Sequence, residues 1–138
     1  MSEIKQESFE QSIPSIDAVK HVKGESVFTN DIPHSKDCLF ACVGWSEKAH
    51  AMIKSIDLRE VIKDPNVKAI VTANDIPGLN DCGAVVKGDP IFVQEKGVVR
   101  YQGAPLFGVA CTSRKAALKA VGKAKIKYKA FKPIVTIK

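Results

Sequence analysis

The sequence lacks a long hydrophobic run. No stretch approaches the roughly 20 apolar residues that a membrane-spanning helix needs, so no integral membrane protein is predicted. Residues 1–7 carry mixed charge and lack the apolar core of a signal peptide. The length of 138 residues and the hydrophobic content of 45% are typical of one globular domain. Together these features favour a cytoplasmic protein without a membrane partner.

The sequence also lacks the ligand spacing of a metal site. Its four cysteines include no C-x-x-C pair, and His21, His34 and His50 have no ligand spacing to one another or to a cysteine. Cys38 and Cys42 fall in an apolar run that reads as a strand and would share one sheet face. At ~3.3 Å per residue they would lie ~13 Å apart, too far for a disulfide. We expect no metal site, and small buried thiols in a reducing compartment.

Catalytic motifs are missing as well. The patterns G-x-S-x-G, H-E-x-x-H and G-x-G-x-x-G do not occur. Gly103 and Gly108 have the outer spacing of a phosphate loop, but Val109 and Ala110 stand where Lys and Ser or Thr are required. Carboxylates suited to pairing occur only in predicted turns, at Asp31, Asp37, Asp75 and Asp81. Because capping explains these aspartates better than acid–base chemistry, the sequence predicts no catalytic, cofactor-binding or metal-binding residue in this chain.

The chain is basic, with a net charge of +6 and a pI of about 9.2. Much of the excess lies on one predicted helix and the following strand, at Lys115, Lys119, Lys123, Lys125, Lys127, Lys129 and Lys132. These lysines are not interleaved with the aromatic side chains on which bases stack in single-strand binders. The pattern favours a solvated face or an acidic protein partner over nucleic acid.

A nine-residue frame, N-D-I-P-x-x-x-D-C, is present twice, at 30–38 and at 74–82. Proline fixes its own φ and disfavours helical geometry in the residue before it, while Asn and Asp favour turns. The residues flanking the two copies differ, and a solenoid needs at least three repeats. The frame therefore predicts two similar polar corners rather than a duplicated domain.

Hydrophobic periodicity predicts an α+β fold, with a mixed sheet covered by two helices and a protruding irregular β substructure in the middle. Residues 1–23 are predicted to form an extended leader, and residues 24–138 the domain. A short helix is expected over 58–63, capped by Asp57 and buried through Leu58, Val61 and Ile62. A second helix is expected to follow a cap at Ser113 or Thr112 and to run to about 124. Strands are expected at 25–29, 39–45, 49–55, 67–72, 91–93, 98–101, 106–112 and 125–128. The run 39–45 is expected to be covered on both faces.

Four ordered segments resemble one known family. They are G-E-S-V-F-T-N-D-I-P at 24–33, A-H-A-M-I-K-S-I-D at 49–57, T-A-N-D-I-P-G-L-N at 72–80, and V-R-Y-Q-G-A-P-L-F-G-V-A at 99–110. With Gly83 and Tyr128, they are similar to the α/β hammerhead domain at the start of the molybdenum subunit of xanthine dehydrogenases and aldehyde oxidases. The likeness covers about 24–135. Phe28 replaces the family's usual Tyr, and Ala104 its usual Gln.

The resemblance implies an N-terminal structural domain of a xanthine dehydrogenase-like molybdenum hydroxylase. Such an oxidoreductase hydroxylates a purine or an aldehyde with oxygen from water, using molybdopterin, with 2Fe–2S and FAD on neighbouring domains or subunits. In that family the cofactor-binding and catalytic segments lie downstream of this domain, so the likeness supplies no cofactor or catalytic residue here. The expected partners are the remainder of the molybdenum subunit and the flavin and iron–sulfur parts. The chain is thus expected to be an N-terminal piece of a larger subunit.

A hypothesis of another class stays open beside this one. The chain could be a stand-alone, non-catalytic interaction module that binds an acidic protein through its basic helix. The segment 74–83 is expected to have a structural or inter-domain role in the first case.

Overall fold

The computed structural model describes residues 14–137, which divide into two compact units at Lys36 and Asp37. No helix in this described range combines the length and the apolar character that a bilayer crossing demands. Residues 1–13 of the predicted leader lie outside the described residues.

In the described part of the first unit, residues 14–36, the chain forms the helix α1 (Ala18–Lys23) and a 3₁₀ turn at Thr29–Asp31. The prediction of an extended leader is therefore wrong for 18–23. The strand predicted at 25–29 is also absent, because this segment pairs with no strand and exposes 76% of Val27 and 59% of Phe28. Instead, the Asp31 carboxylate accepts a hydrogen bond from the Phe28 N–H (2.9 Å) and closes the turn.

The second unit contains six strands and two helices. In chain order they are β1 (Phe40–Trp45), β2 (Ala51–Asp57), α2 (Arg59–Ile62), β3 (Val67–Thr72), β4 (Val98–Val99), β5 (Pro105–Cys111), α3 (Arg114–Val121) and β6 (Lys125–Ala130). A second 3₁₀ turn, Ala73–Asp75, follows β3. The strand predicted at 91–93 does not form; there the Val93 N–H donates a hydrogen bond to the Pro105 carbonyl (2.9 Å).

The six strands form two three-stranded sheets, in the orders β1-β5-β3 and β4-β2-β6. Every pairing within these two sheets is antiparallel. The α+β hammerhead class is confirmed, but two sheets replace the single mixed sheet that was predicted. Helix α3 packs on β1 and β5, while the shorter α2 contacts β3.

The core is centred on β5, which pairs on both edges and lies under α3. Its Leu106 and Phe107 are almost completely buried, as is Ile53 of the other sheet. The small side chains of Ala117 and Ala120 are the buried residues of α3, as the alanine spacing predicts. Ser113 caps this helix by accepting a hydrogen bond from the Ala116 N–H (3.2 Å).

Gly44 of β1 is required by the packing of this core. It lies opposite Phe107 in the register of β1 and β5. A Cβ at Gly44 would overlap the Cε1 and Cζ atoms of the Phe107 ring. The ring thus fills the space that a side chain on β1 would otherwise occupy.

Some buried positions were predicted wrongly. Ile62 is 66% exposed, because α2 is only four residues long and its one buried residue is Val61. Trp45, at a register shift in β1, is 54% exposed, so β1 is not covered on both faces. The N-cap of α2 is Leu58 rather than the predicted Asp57, although the Asp57 side chain accepts a hydrogen bond from the N–H of Arg59, the first helical residue (3.1 Å).

Candidate docking loop and groove

The most distinctive surface of the second unit is the loop formed by residues 79–93, between β3 and β4. The 3₁₀ turn Ala73–Asp75 starts the chain toward this loop. The Asp75 carboxylate accepts hydrogen bonds from both the N–H and the hydroxyl of Thr72, each 2.7 Å long. The Thr72 hydroxyl is the largest influence that lowers the pKa of Asp75, followed by the Thr72 N–H. This turn is therefore fixed by a charged acceptor at neutral pH.

Both copies of the repeated sequence frame fold in this way. Asp31 caps Phe28 in the first turn as Asp75 caps Thr72 in the second. The prediction of two similar corners is confirmed. In the second turn the Thr72 hydroxyl also donates a hydrogen bond to the aspartate. The equivalent residue of the first turn is Phe28, whose side chain has no hydroxyl.

A single carboxylate holds the base of the 79–93 loop. Asp81 accepts hydrogen bonds from the N–H groups of Gly83 (2.8 Å), Gly88 (2.8 Å) and Asp89 (3.4 Å). The bond from Gly88 has the largest effect, and together these bonds lower the pKa of Asp81. The Cys82 N–H also donates to the Asp89 carbonyl (2.8 Å). Residues 83–88 are thus closed into a small ring.

The side chain of Asn80 joins the start of the loop to its end. Its amide group donates to the Phe92 carbonyl (2.7 Å), and its carbonyl oxygen accepts from the Phe92 N–H (3.0 Å). This two-bond clamp satisfies both main-chain groups of a residue that no strand pairs. The sequence did not predict it, because the two residues are far apart in the chain and no local pattern connects them.

The tip of the loop is apolar and exposed. Val85 is 94% exposed and Val86 is 77% exposed, and Leu79 at the loop's start is 79% exposed. Gly83 allows this shape, since a Cβ there would overlap the Val86 carbonyl oxygen. Two neighbouring valines are therefore held in water on a backbone that polar groups keep in place.

A groove of about 670 Å³ runs between the loop and the segment around β4. Its lining includes Asn80, Val86, Lys87, Phe92, Arg100 and Tyr101. Ala104, at the position where the family usually has Gln, also lines it and is completely buried. The alanine methyl leaves this wall apolar, without the amide that the resemblance implies.

Cys82, the one thiol of the 79–93 loop, is not activated as a nucleophile. Desolvation raises the pKa of the Cys82 thiol, the nearby Asp89 carboxylate raises it further, and the thiol lies 3.3 Å from the Asp89 carbonyl. A thiol of raised pKa is a poor nucleophile at neutral pH. Nowhere in residues 14–137 do three His, Cys, Asp or Glu side chains form a cluster able to hold a metal ion.

Within the second unit, the turn aspartates Asp75 and Asp81 do not meet at one site. Asp31 lies in the first unit, Asp37 is the first residue of the second unit, and Asp75 and Asp81 cap different turns. Capping duty is confirmed for Asp31, Asp75 and Asp81.

The basic surface of the second unit follows the edge strand β6. Lys125, Lys127 and Lys129 alternate with the less exposed Ile126 and Tyr128. Lysines on an edge strand discourage pairing with another chain. Lys123 differs from these lysines, since its ammonium forms a 2.7 Å ion pair with Asp64. This ion pair, together with hydrogen bonds from the main-chain and side-chain N–H groups of Asn66, lowers the pKa of the Asp64 carboxyl to about 2. These contacts give much of the lysine excess a structural explanation.

The four cysteines are free and scattered: Cys38 precedes β1, Cys42 is in β1, Cys82 is in the loop and Cys111 ends β5. Cys38 therefore does not share a strand face with Cys42 as predicted, because β1 begins only at Phe40. Burial raises the pKa of the completely buried Cys111 thiol. These scattered thiols do not fit an iron–sulfur cluster, whose protein ligands, most often four cysteine thiolates, must converge on the iron atoms.

Comparisons with known proteins agree on one family. Residues 23–132 match the family described as "Aldehyde oxidase and xanthine dehydrogenase, a/b hammerhead domain". Xanthine dehydrogenase of Dictyostelium discoideum is 36% identical over 127 residues, which are 92% of this chain and 9% of that relative. Xanthine dehydrogenase/oxidase of Gallus gallus is 35% identical over 122 residues, 88% of this chain and 9% of the relative.

Solved structures show the same likeness. Aldehyde oxidoreductase from Desulfovibrio desulfuricans superposes with a TM-score of 0.72 at 28% identity, covering 88% of this chain and 14% of that one. CO dehydrogenase from Oligotropha carboxidovorans gives 0.73 at 25% identity, covering 86% and 15%. This chain spans only a small part of each of these four proteins. It belongs to the a/b hammerhead domain family of the aldehyde oxidases and xanthine dehydrogenases.

Proposed function

We propose that this chain is the N-terminal structural domain of a xanthine dehydrogenase-like molybdenum hydroxylase. The observation that carries the proposal is the match over residues 23–132, joined to the fact that the matched region is 9% of each of the two relatives. The reaction proposed for the whole assembly is hydroxylation of a purine or an aldehyde with oxygen taken from water. A cytoplasmic location is part of the proposal.

The chemistry in that proposal belongs to other parts of the assembly. The four free cysteines are scattered over the second unit and do not fit a 2Fe–2S cluster, which the resemblance implies for the assembly. We assign molybdopterin to the remainder of the molybdenum subunit, and 2Fe–2S and FAD to neighbouring domains or subunits. The role left for this chain is to support and orient the cofactor-binding body. Two sheets packed on an apolar core give it the rigidity that such a role needs.

The proposal is tested by purifying the protein through a C-terminal tag from its own host under native conditions. We expect it in an assembly that contains molybdenum by elemental analysis, together with the cofactor-binding polypeptide by mass spectrometry. A stable assembly with no molybdenum would contradict the proposal.

The alternative, a stand-alone module that binds an acidic protein, predicts a different result from the same purification. An acidic partner would appear without molybdenum, and raising the salt concentration would release it. The lysines of β6 are the feature that supports this alternative. Their position on an edge strand and the pairing of Lys123 with Asp64 weaken it.

A further inference from the structure

We propose that the cofactor-binding body of the molybdenum subunit docks on the 79–93 loop and its groove, with Val85 and Val86 as the apolar anchors. This inference rests on the proposed function, because it names the surface through which the domain would support the body. It gives a function to the exposed apolar residues of the loop tip, which the fold of the domain does not require.

The first argument is the fixed shape of the loop. The Asp81 carboxylate closes residues 83–88 into a ring by accepting three hydrogen bonds from main-chain N–H groups. The Asn80 side chain forms two more hydrogen bonds, with the main chain of Phe92. A loop that is already ordered loses little conformational entropy when it binds. The ring therefore presents its tip in one shape before any partner arrives.

The second argument is the placement of the valines. They are adjacent, and their exposures of 94% and 77% leave nearly all of their apolar surface in water. Neither belongs to the core, so neither is needed to fold the two sheets. Beside them lies the groove, with Phe92 and the half-exposed Tyr101 in its lining. Aromatic side chains of this kind are enriched at the centre of protein interfaces.

The third argument concerns the identity of the occupant. The matched region is 9% of each of two relatives, so in those proteins most of the polypeptide lies outside the domain and is available to cover this surface. Two cations, Lys87 and Arg100, line the groove beside one carboxylate, Asp89. The complementary surface of the body should therefore carry an apolar pocket for the valines and an acidic rim for the cations.

The experiment compares two double variants of the tagged chain. Val85→Ser with Val86→Ser removes the anchors, and Ile62→Ser with Leu118→Ser is the matched control, since its two residues are 66% and 59% exposed on helices. Each chain is mixed with the cofactor-binding body from the same source, and affinity is measured by biolayer interferometry. Circular dichroism checks that both variants stay folded.

We expect the anchor variant to bind the body at least about tenfold more weakly than the wild type, and the control to bind within about threefold of it. Equal affinity of the two variants, when the wild-type chain does bind, overturns this docking surface and leaves the proposed function standing. Failure of the wild-type chain to bind the body counts against the proposed function itself. Sedimentation that shows a self-dimer dissolved by the anchor variant overturns the proposal in favour of a second copy.

Discussion

The two sheets and the 79–93 loop are stabilised in opposite ways. In the sheets, Phe107, Leu106 and Ile53 are buried among other apolar side chains. In the loop, Asp81 and Asn80 bind main-chain groups while the apolar residues face water. The difference indicates that the two sheets fold around their own hydrophobic core, whereas the loop has a shape suited to binding a partner outside the domain.

The largest expected effect comes from Gly44→Ala. The new methyl group would overlap the Phe107 ring, which is fully buried. Overpacking of this kind lowers the free energy of unfolding by about 1–3 kcal/mol. The measurement is urea denaturation of the whole chain.

The matched control for this substitution is Gly78→Ala. No atom lies within 4 Å of a Cβ at Gly78. Its free energy of unfolding should stay within about 0.5 kcal/mol of the wild type. Equal losses for the two variants would show that the Gly44–Phe107 contact does not limit the packing of the sheets.

Gly83→Ala introduces the same extra methyl group into the loop. Its effect on the free energy of unfolding should be smaller than that of Gly44→Ala and confined to the loop. Its methyl group would overlap the Val86 carbonyl oxygen and displace the ring closed by Asp81. Because this ring contributes no residue to the core, local opening should increase without global unfolding. We expect amide exchange at Gly88 to rise about tenfold, measured by NMR, while the urea midpoint stays near that of the wild type. A fall in the midpoint as large as that of Gly44→Ala would mean that loop and sheets unfold as one unit.

The regions also differ in how far the sequence predicts them. The strands at β1, β3 and β5 follow from apolar, β-branched runs, and α3 follows from Ser113 and its alanine spacing. These signals are local, so the sequence alone contains them. The division into two sheets is not local, because it depends on which strands pair across long separations.

The loop was predicted only in outline. Glycine and proline indicate an irregular segment at 80–89, and the turn aspartates indicate caps. The link between Asn80 and Phe92 depends on the three-dimensional path of the chain, so no sequence period reveals it. The strand expected at 91–93 fails for a similar reason, since that segment forms no strand ladder.

Acid should loosen the loop through Asp81. Its pKa is lowered in the folded state, so its stabilising effect is complete above the ordinary value of about 4 and is lost as the pH falls through the folded-state pKa. We expect Gly88 amide exchange, corrected for its intrinsic pH dependence, to accelerate only below about pH 4. Asp81→Asn is the control, because it should show fast exchange already at neutral pH and no acid step. An unchanged acid step in that variant would assign the titration to another carboxyl.

The smallest expected effect on stability is that of Tyr128→Phe, in the sheet β4-β2-β6. The Tyr128 hydroxyl is buried and has no hydrogen-bond partner within residues 14–137, although its ring packs on the core. Because a buried, unpaired polar group opposes folding, its removal should leave stability unchanged or raise it by up to about 1 kcal/mol. The measurement is urea denaturation, with Tyr128→Leu as the control. Because this control removes the ring as well as the hydroxyl, the comparison distinguishes the effect of the hydroxyl from that of ring packing. The leucine variant should be clearly less stable. A loss of more than about 1 kcal/mol in the phenylalanine variant would show that the hydroxyl does have a partner in solution. The two sheets would then depend on a polar side-chain contact, as the loop does. The contrast between the sheets and the loop would be weaker than the structure indicates.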